Sequence, residues 1–259
     1  MEKWAIVTGA SSGIGKDIAN ELAQRGYCLL LVARNITALK SLAETLSATY
    51  RVTAQPIELD LAREEAAATL IQLVAAKGIT AEVLVNNAGV GCFGPFVEQE
   101  PQRLEKLLLL NVNTLTMLTR HFAGQMVKTG RGYILQVAST AAFLPMTQYA
   151  LYAATKSFVF SLSFALNAEC RGRGVTITTL CPGPTHTNFF EKASHKALPQ
   201  SFLSLMMKSD EVAKIAVTAL FAQKALVIPG FTNKLLAVLS RWAPPSLIVK
   251  INDWGMRQI

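Results

Sequence analysis

The chain has 259 residues, about half of them hydrophobic and 16% charged, with a formal charge of +8. That balance supplies a large buried core and excludes a disordered chain, and an α/β fold can close as one unit at this length. The positive charge alone would suit nucleic acid, but Lys16, Arg25, Arg34, Arg63, Arg103 and Arg120 are scattered, and Arg171 with Arg173 makes no basic run, so a nucleic-acid partner is not expected.

In chain order, short apolar runs alternate with longer amphipathic ones. "WAIVT" reads as a strand before a helix near 13–25, and "CLLLVA" precedes one near 35–49. "VTAQPIE" leads to a helix near 63–77, "EVLVN" to one near 101–128, and "YILQVAS" to one near 149–172. "VTITTL" precedes a helix near 210–224, and "ALVIP" is the last strand. The strand runs are rich in Val, Ile and Leu without clean alternation, as expected of strands buried on both faces. The pattern predicts an α/β, doubly wound parallel sheet of about seven strands with helices on both faces, in a single domain over 1–259.

Two segments stand outside that rhythm, an insert at 188–209 and an apolar extension at 231–259. Residues 132–155 carry no charge, but Gln136, Ser139, Thr140, Pro145, Thr147 and Gln148 interrupt them, which suits a strand, loop and helix start better than a membrane span. With "WAIVTGA" beginning at Trp4, no signal peptide is expected. Cys28, Cys92, Cys170 and Cys181 show no CxxC spacing, and His121, His186 and His195 are isolated. Neither a metal site nor a disulfide framework is expected, and the thiols suit a reducing, cytoplasmic compartment.

"TGASSGIG" (residues 8–15) follows the first strand and opens the first helix. Its spacing, G-x3-G-x-G, would let Gly9 turn sharply, Gly13 admit a phosphate-bearing ligand and Gly15 pack the helix on the sheet, with pyrophosphate at the helix N-terminus. The second strand ends in Arg34, where a fold that grips the ribose of NAD places a carboxylate. An Arg there, with Ser11 beside it, suits a 2′-phosphate and predicts NADP. In "YAATK", Tyr152 and Lys156 stand one helical turn apart, and an adjacent ammonium is expected to lower the phenol pKa. The phenol could then exchange a proton with a carbonyl or alcohol oxygen, and Ser139 could hydrogen-bond the same oxygen.

With "LDL" at 59–61, "NNAG" at 86–89, "LNVN" at 110–113 and "PGPTHT" at 182–187, all in order, the chain resembles the short-chain dehydrogenase/reductase family over residues 4–229. It is most similar to the branch of ketoacyl reductases and hydroxysteroid dehydrogenases. The resemblance implies a Rossmann-type fold, no metal, and hydride transfer between NADPH and a ketone or aldehyde. It makes Tyr152 the catalytic acid/base and Ser139 the group that polarises the carbonyl. Lys156 would tune Tyr152 and hold the nicotinamide ribose, and Asn111 would support a water in a proton relay. Ser12 and Ile14 join Gly9, Ser11, Gly13 and Gly15 in the cofactor loop. Asp60 and Leu61 would flank the adenine, with Asn87, Ala88 and Gly89 along the cofactor. Pro182, Gly183, Thr185 and Thr187 would lie by the nicotinamide.

The segments that wall the substrate in this family are apolar here: "VGCFGPF", "AAFLPMTQYAL", and Phe189, Phe190, Leu198, Phe202, Leu203, Met206 and Met207 of the insert. A bulky apolar carbonyl or alcohol substrate is expected, although the same residues could simply pack a lid onto the core. No Arg clamp for an acidic substrate stands out, with Lys192, Lys196 and Lys208 in the insert. The extension, with Leu235, Leu236, Val238, Leu239, Trp242, Leu247, Ile248 and Val249, reads first as a packed tail. A dimer surface, a substrate wall or, with Lys234, Arg241 and Lys250, a patch for anionic lipid are the alternatives. A homodimer or homotetramer is expected. A cofactor-binding regulator or scaffold on this fold is the competing reading; retention of Asn111, Ser139, Tyr152 and Lys156 favours the enzyme.

Overall fold

The computed structural model describes residues 2–193 and 200–256. Its first half runs β1 (Trp4–Thr8), α1 (Gly13–Gln24), β2 (Cys28–Ala33), α2 (Ile36–Tyr50), β3 (Ala54–Glu58), α3 (Ala66–Ala76) and β4 (Ala81–Asn86). Helices α4 (Pro101–Leu108) and α5 (Leu115–Thr129) follow, joined by a π-helical turn, Leu109–Thr114. The rest is β5 (Gly132–Val137), α6 (Ala150–Arg171), β6 (Val175–Leu180), α7 (Phe189–Lys192), α8 (Gln200–Leu203), α9 (Ser209–Phe221), β7 (Leu226–Val227), α10 (Phe231–Trp242) and α11 (Pro245–Met256).

All seven expected strands form, and they pair in parallel in the order β3-β2-β1-β4-β5-β6-β7. Successive strand side chains point to opposite faces. Ala5 and Val7 join the core beneath α1, α2 and α9, whereas Trp4 and Ile6 join the one beneath α3 and α5. With both faces covered, the strands had no reason to alternate polar with apolar residues. Strand order reverses between β1 and β4, and in such a sheet the crevice for a ligand opens at that point, beyond the carboxyl ends of the strands.

Two features differ from the sequence reading. The single helix expected near 101–128 carries the π-helical turn, an insertion of the kind that re-aims side chains at functional sites; Asn111 lies in it and is buried. The extension is helical, but it does not pack its apolar side. Helix α10 turns the half-buried Asn233, Ala237 and Ser240 inward and leaves Phe231, Leu235, Val238, Leu239 and Trp242 exposed. The inward face is fixed by polar and small groups: Asn233 donates to the Pro229 carbonyl (2.7 Å), and Asn252 of α11 accepts from the Thr147 N–H (2.9 Å). Of the insert, Lys196 and Leu198 and the side chains of Lys192 and Phe202 lie outside the described residues. Among the described residues no helix is long and apolar enough to cross a membrane.

Candidate active site

The cleft begins where β1 and β4 end side by side. Thr8, buried at the tip of β1, donates to the Val85 carbonyl (3.0 Å) and accepts from the N–H groups of Asn87 and Ala88 (both 3.0 Å). The Asn87 amide in turn donates to the carbonyls of Thr8 (2.9 Å) and Gly9 (3.2 Å). One hydroxyl and one amide thus tie the glycine loop to "NNAG". Gly9 has φ +66°, and a Cβ on it would stand 2.7 Å from the Asn87 amide, so the turn needs glycine on both counts. Gly15 lies under the loop with Asn87 pressed against it. Gly13 has a second reason to be glycine: the space a Cβ would take is filled by the Thr187 methyl, 2.7 Å away, so this glycine also lets "PGPTHT" close on the loop.

A cleft of about 920 Å³ runs from that loop. Gly9, Ser11, Ser12, Gly13, Ile14, Arg34, Asp60, Leu61, Asn87, Ala88, Gly89, Pro182, Gly183, Thr185 and Thr187 line it together with Ser139, Tyr152 and Lys156. Of the residues singled out in the sequence, Gly15 and Asn111 sit behind the wall. Asn111 accepts from the Val90 N–H (3.0 Å) and donates to the Val90 carbonyl (2.9 Å) and to Thr155 Oγ1 (3.2 Å), bracing the wall against α6.

The cradle fits a dinucleotide. Ser12 precedes α1 in an extended conformation without capping it through its side chain, and the first turn holds no acid, so its N–H groups suit a phosphate. A Cβ on Gly89 would stand 3.4 Å from both Lys156 Nζ and Asn111 Oδ1, in ordinary contact, so the cleft floor at Gly89 lies directly beside that ammonium. Arg34 is exposed on the cleft at the end of β2, and Asp60 accepts from the Ala62 N–H (3.1 Å).

At the far end, Lys156 is buried, with Nζ donating to the Val137 carbonyl (2.8 Å) and standing 5.7 Å from the Tyr152 ring centre. Burial pushes the Tyr152 phenol up to about 12, while the Ser139 hydroxyl, hydrogen-bonded to it, pulls the other way. Burial takes Lys156 down to about 8. For Tyr152 burial is the largest effect, and the net direction is upward.

Several participants escaped the sequence reading. Thr8 was only the first letter of a glycine motif. Cys181, fully buried, lies close enough to Tyr152 and Lys156 to affect both, its own thiol pushed up to about 12 by burial. The aromatic rings of the segments expected to wall the substrate were foreseen, and they wrap the phenol: Tyr149 at 5.9 Å and Phe189 at 5.2 Å from Tyr152, with Phe93 at 5.3 Å from Tyr149 and Phe190 at 5.6 Å from Phe189. Gln148, just before them, is held at φ +64°, with its carbonyl accepting from the Gly94 N–H (2.9 Å); strain of this kind gathers at functional sites. Arg103 and Lys106, three apart on α4, also line the cleft, a cationic stretch of wall that the scattered basic residues of the sequence did not suggest.

Comparison with known proteins agrees with this geometry. The short chain dehydrogenase family profile matches residues 3–198. The chain is similar to very-long-chain 3-oxoacyl-CoA reductase-B of Danio rerio, 32% identical over 186 residues, 70% of this chain and 59% of that protein. It spans about three-fifths of the length of this and two other curated relatives it matches. Among solved structures it is similar to a short-chain dehydrogenase from Sphingobium yanoikuyae in complex with NADPH, with TM-score 0.82 and 32% identity over 99% of this chain and 94% of that one. It is also similar to the bulky-bulky ketone specific alcohol dehydrogenase from Comamonas testosteroni, with TM-score 0.79 and 30% identity over 92% and 91%.

Proposed function

The chain belongs to the short-chain dehydrogenase family, and from that premise we propose that it is an NADP-dependent oxidoreductase that reduces a bulky, apolar ketone or aldehyde. The observation that carries this reading is the meeting of Ser139, Tyr152 and Lys156 in one cleft with the glycine loop and Arg34. Bound NADPH would supply the hydride. The Tyr152 phenol, held as the neutral acid by its burial, donates a proton to the substrate oxygen, and the Ser139 hydroxyl hydrogen-bonds that oxygen. Lys156 offers an ammonium to the cofactor ribose from the cleft floor, and Asn111 keeps the Val90 wall in place.

Two further observations support the finer points. Arg34 faces the cleft where a carboxylate would serve NAD, and one structural relative binds NADPH. The cleft that holds Tyr152 is also lined by Leu144, Met146, Tyr149, Phe189 and Phe190, which suits a large apolar group. Arg103 and Lys106 add cations to the same cleft, so a useful ketone panel includes members with a distal carboxylate.

Fluorescence titration with NADPH and NADH tests the cofactor assignment, with tight and selective NADPH binding expected. Arg34→Asp should cost NADPH about tenfold or more in affinity, the worth of a charge-assisted hydrogen bond, and should spare NADH. Unchanged selectivity would remove Arg34 from the argument. Binding of NADPH with no turnover across the panel would turn the assignment toward a cofactor-sensing protein.

A further inference from the structure

We propose that α10 and α11 form a platform that seats the cleft on an anionic lipid surface. Both helices are amphipathic the wrong way round for a soluble protein. At about 100° per residue, Phe231, Leu235, Val238, Leu239 and Trp242 share one side of α10, and that side faces outward, with Phe231 80% and Trp242 82% exposed. On α11, Leu247, Ile251 and Trp254 make a second stripe, with Ile251 62% and Trp254 69% exposed, while Ile248 and Asn252 face the protein.

The charges select the occupant. Lys234 and Arg241 border the stripe of α10 and Lys250 that of α11, all three exposed, against a single acid on the two helices, the half-buried Asp253 of α11. Two indoles and a border of cations beside an apolar stripe match a helix lying in the headgroup layer, where the long basic side chains reach up to phosphates. A second copy of this chain would bring the same three exposed cations to the same face with only the half-buried Asp253 to meet them, and protein interfaces are poor in Lys. Each helix has 12 residues and is about 18 Å long, too short to span a bilayer but suited to lie along it.

The platform adjoins the cleft. The inner side of α10 contributes Asn233 and Leu236 to the cleft wall. Asn252 of α11 holds Thr147, and Gln148 holds Gly94, the start of a loop whose Val97 is 90% exposed. An apolar carbonyl compound dissolved in the lipid would therefore meet the cleft without crossing bulk water.

The test uses the full chain with vesicles of phosphatidylcholine, alone or mixed equally with phosphatidylglycerol. Flotation with the anionic vesicles at low salt is expected, about tenfold stronger than with neutral ones. A blue shift of indole emission should accompany it, because Trp4 is buried and Trp242 and Trp254 would report the change. The triple variant Lys234→Glu, Arg241→Glu, Lys250→Glu should lose flotation while keeping its NADPH affinity and its turnover of a water-soluble ketone. Failure of the parent chain to float with anionic vesicles overturns the proposal. So does sedimentation in which Leu235→Ser with Trp242→Ser turns an oligomer into a monomer while the parent ignores both vesicles, which would assign the face to a second copy. Vesicle binding is read without substrate, so its failure leaves the proposed chemistry untouched.

Discussion

Replacing Tyr152 with Phe is expected to lower kcat for carbonyl reduction by about 10²–10⁴-fold, the range for loss of a positioned acid, while NADPH affinity stays near the parent value. The substitution keeps the ring that packs between Tyr149 and Phe189 and removes only the hydroxyl. A stopped-flow measurement of the reduction step, with NADPH titration alongside, separates chemistry from binding. A variant that turns over at the parent rate would move the acid role to another group.

The pH dependence follows from the same phenol. Burial holds Tyr152 protonated, at about 12 against an ordinary 10.0, so the acid form persists across the neutral range. Reduction consumes that proton and should be nearly flat from pH 6 to 7, below both the phenol and the Lys156 ammonium, which burial takes down to about 8. Oxidation of the alcohol needs the phenolate and should speed up as pH rises over the same span. Both directions measured on one substrate pair would check the sign. An oxidation rate that falls with pH would contradict it.

The parallel sheet was legible because both of its faces are covered: "CLLLVA" and "VTITTL" have no solvent side to encode, and their unbroken apolar character already implies helices above and below. The cleft was legible because the glycine loop, "NNAG" and "PGPTHT" each follow a strand at the same edge of the sheet, so chain order alone brings them together. The π-helical turn at Leu109–Thr114 left no such mark, since one extra residue in a turn barely disturbs an apolar period. The direction of α10 was hidden for another reason. An apolar stripe reads the same whether it faces the core or the outside, and the half-burial of Asn233, Ala237 and Ser240 shows which side of α10 faces inward. The depth of Tyr152 and Lys156 could not be read from their spacing, which reports a neighbour but not its burial. Lys156 is buried as well as near, and burial dominates both groups.

Gly15→Ala and Gly124→Ala make the same chemical change and should act in opposite directions. A Cβ on Gly15 would overlap the Asn87 amide and the Gly9 carbonyl, and neither can retreat. The carbonyl is backbone, and the amide is held by Thr8 and Gly9 in the clamp that joins β1 to β4. Overpacking of that kind costs about 1–3 kcal/mol, which for a chain of this size lowers Tm by several degrees. The displaced loop should also weaken NADPH binding. Gly124, on α5, has nothing within 4 Å of its would-be Cβ and no positive φ. Alanine there should gain up to about 1 kcal/mol from helix propensity and raise Tm, with NADPH binding unchanged. Thermal unfolding and NADPH titration of the two variants settle the matter together. If Gly15→Ala matched the parent in both, Asn87 would have to be free to swing aside, and the hydrogen-bonded clamp could not be what fixes the glycine loop. A loss confined to Gly15→Ala would show that the loop is held from behind by Asn87, so that the shape offered to the cofactor is set by residues the cofactor need not touch.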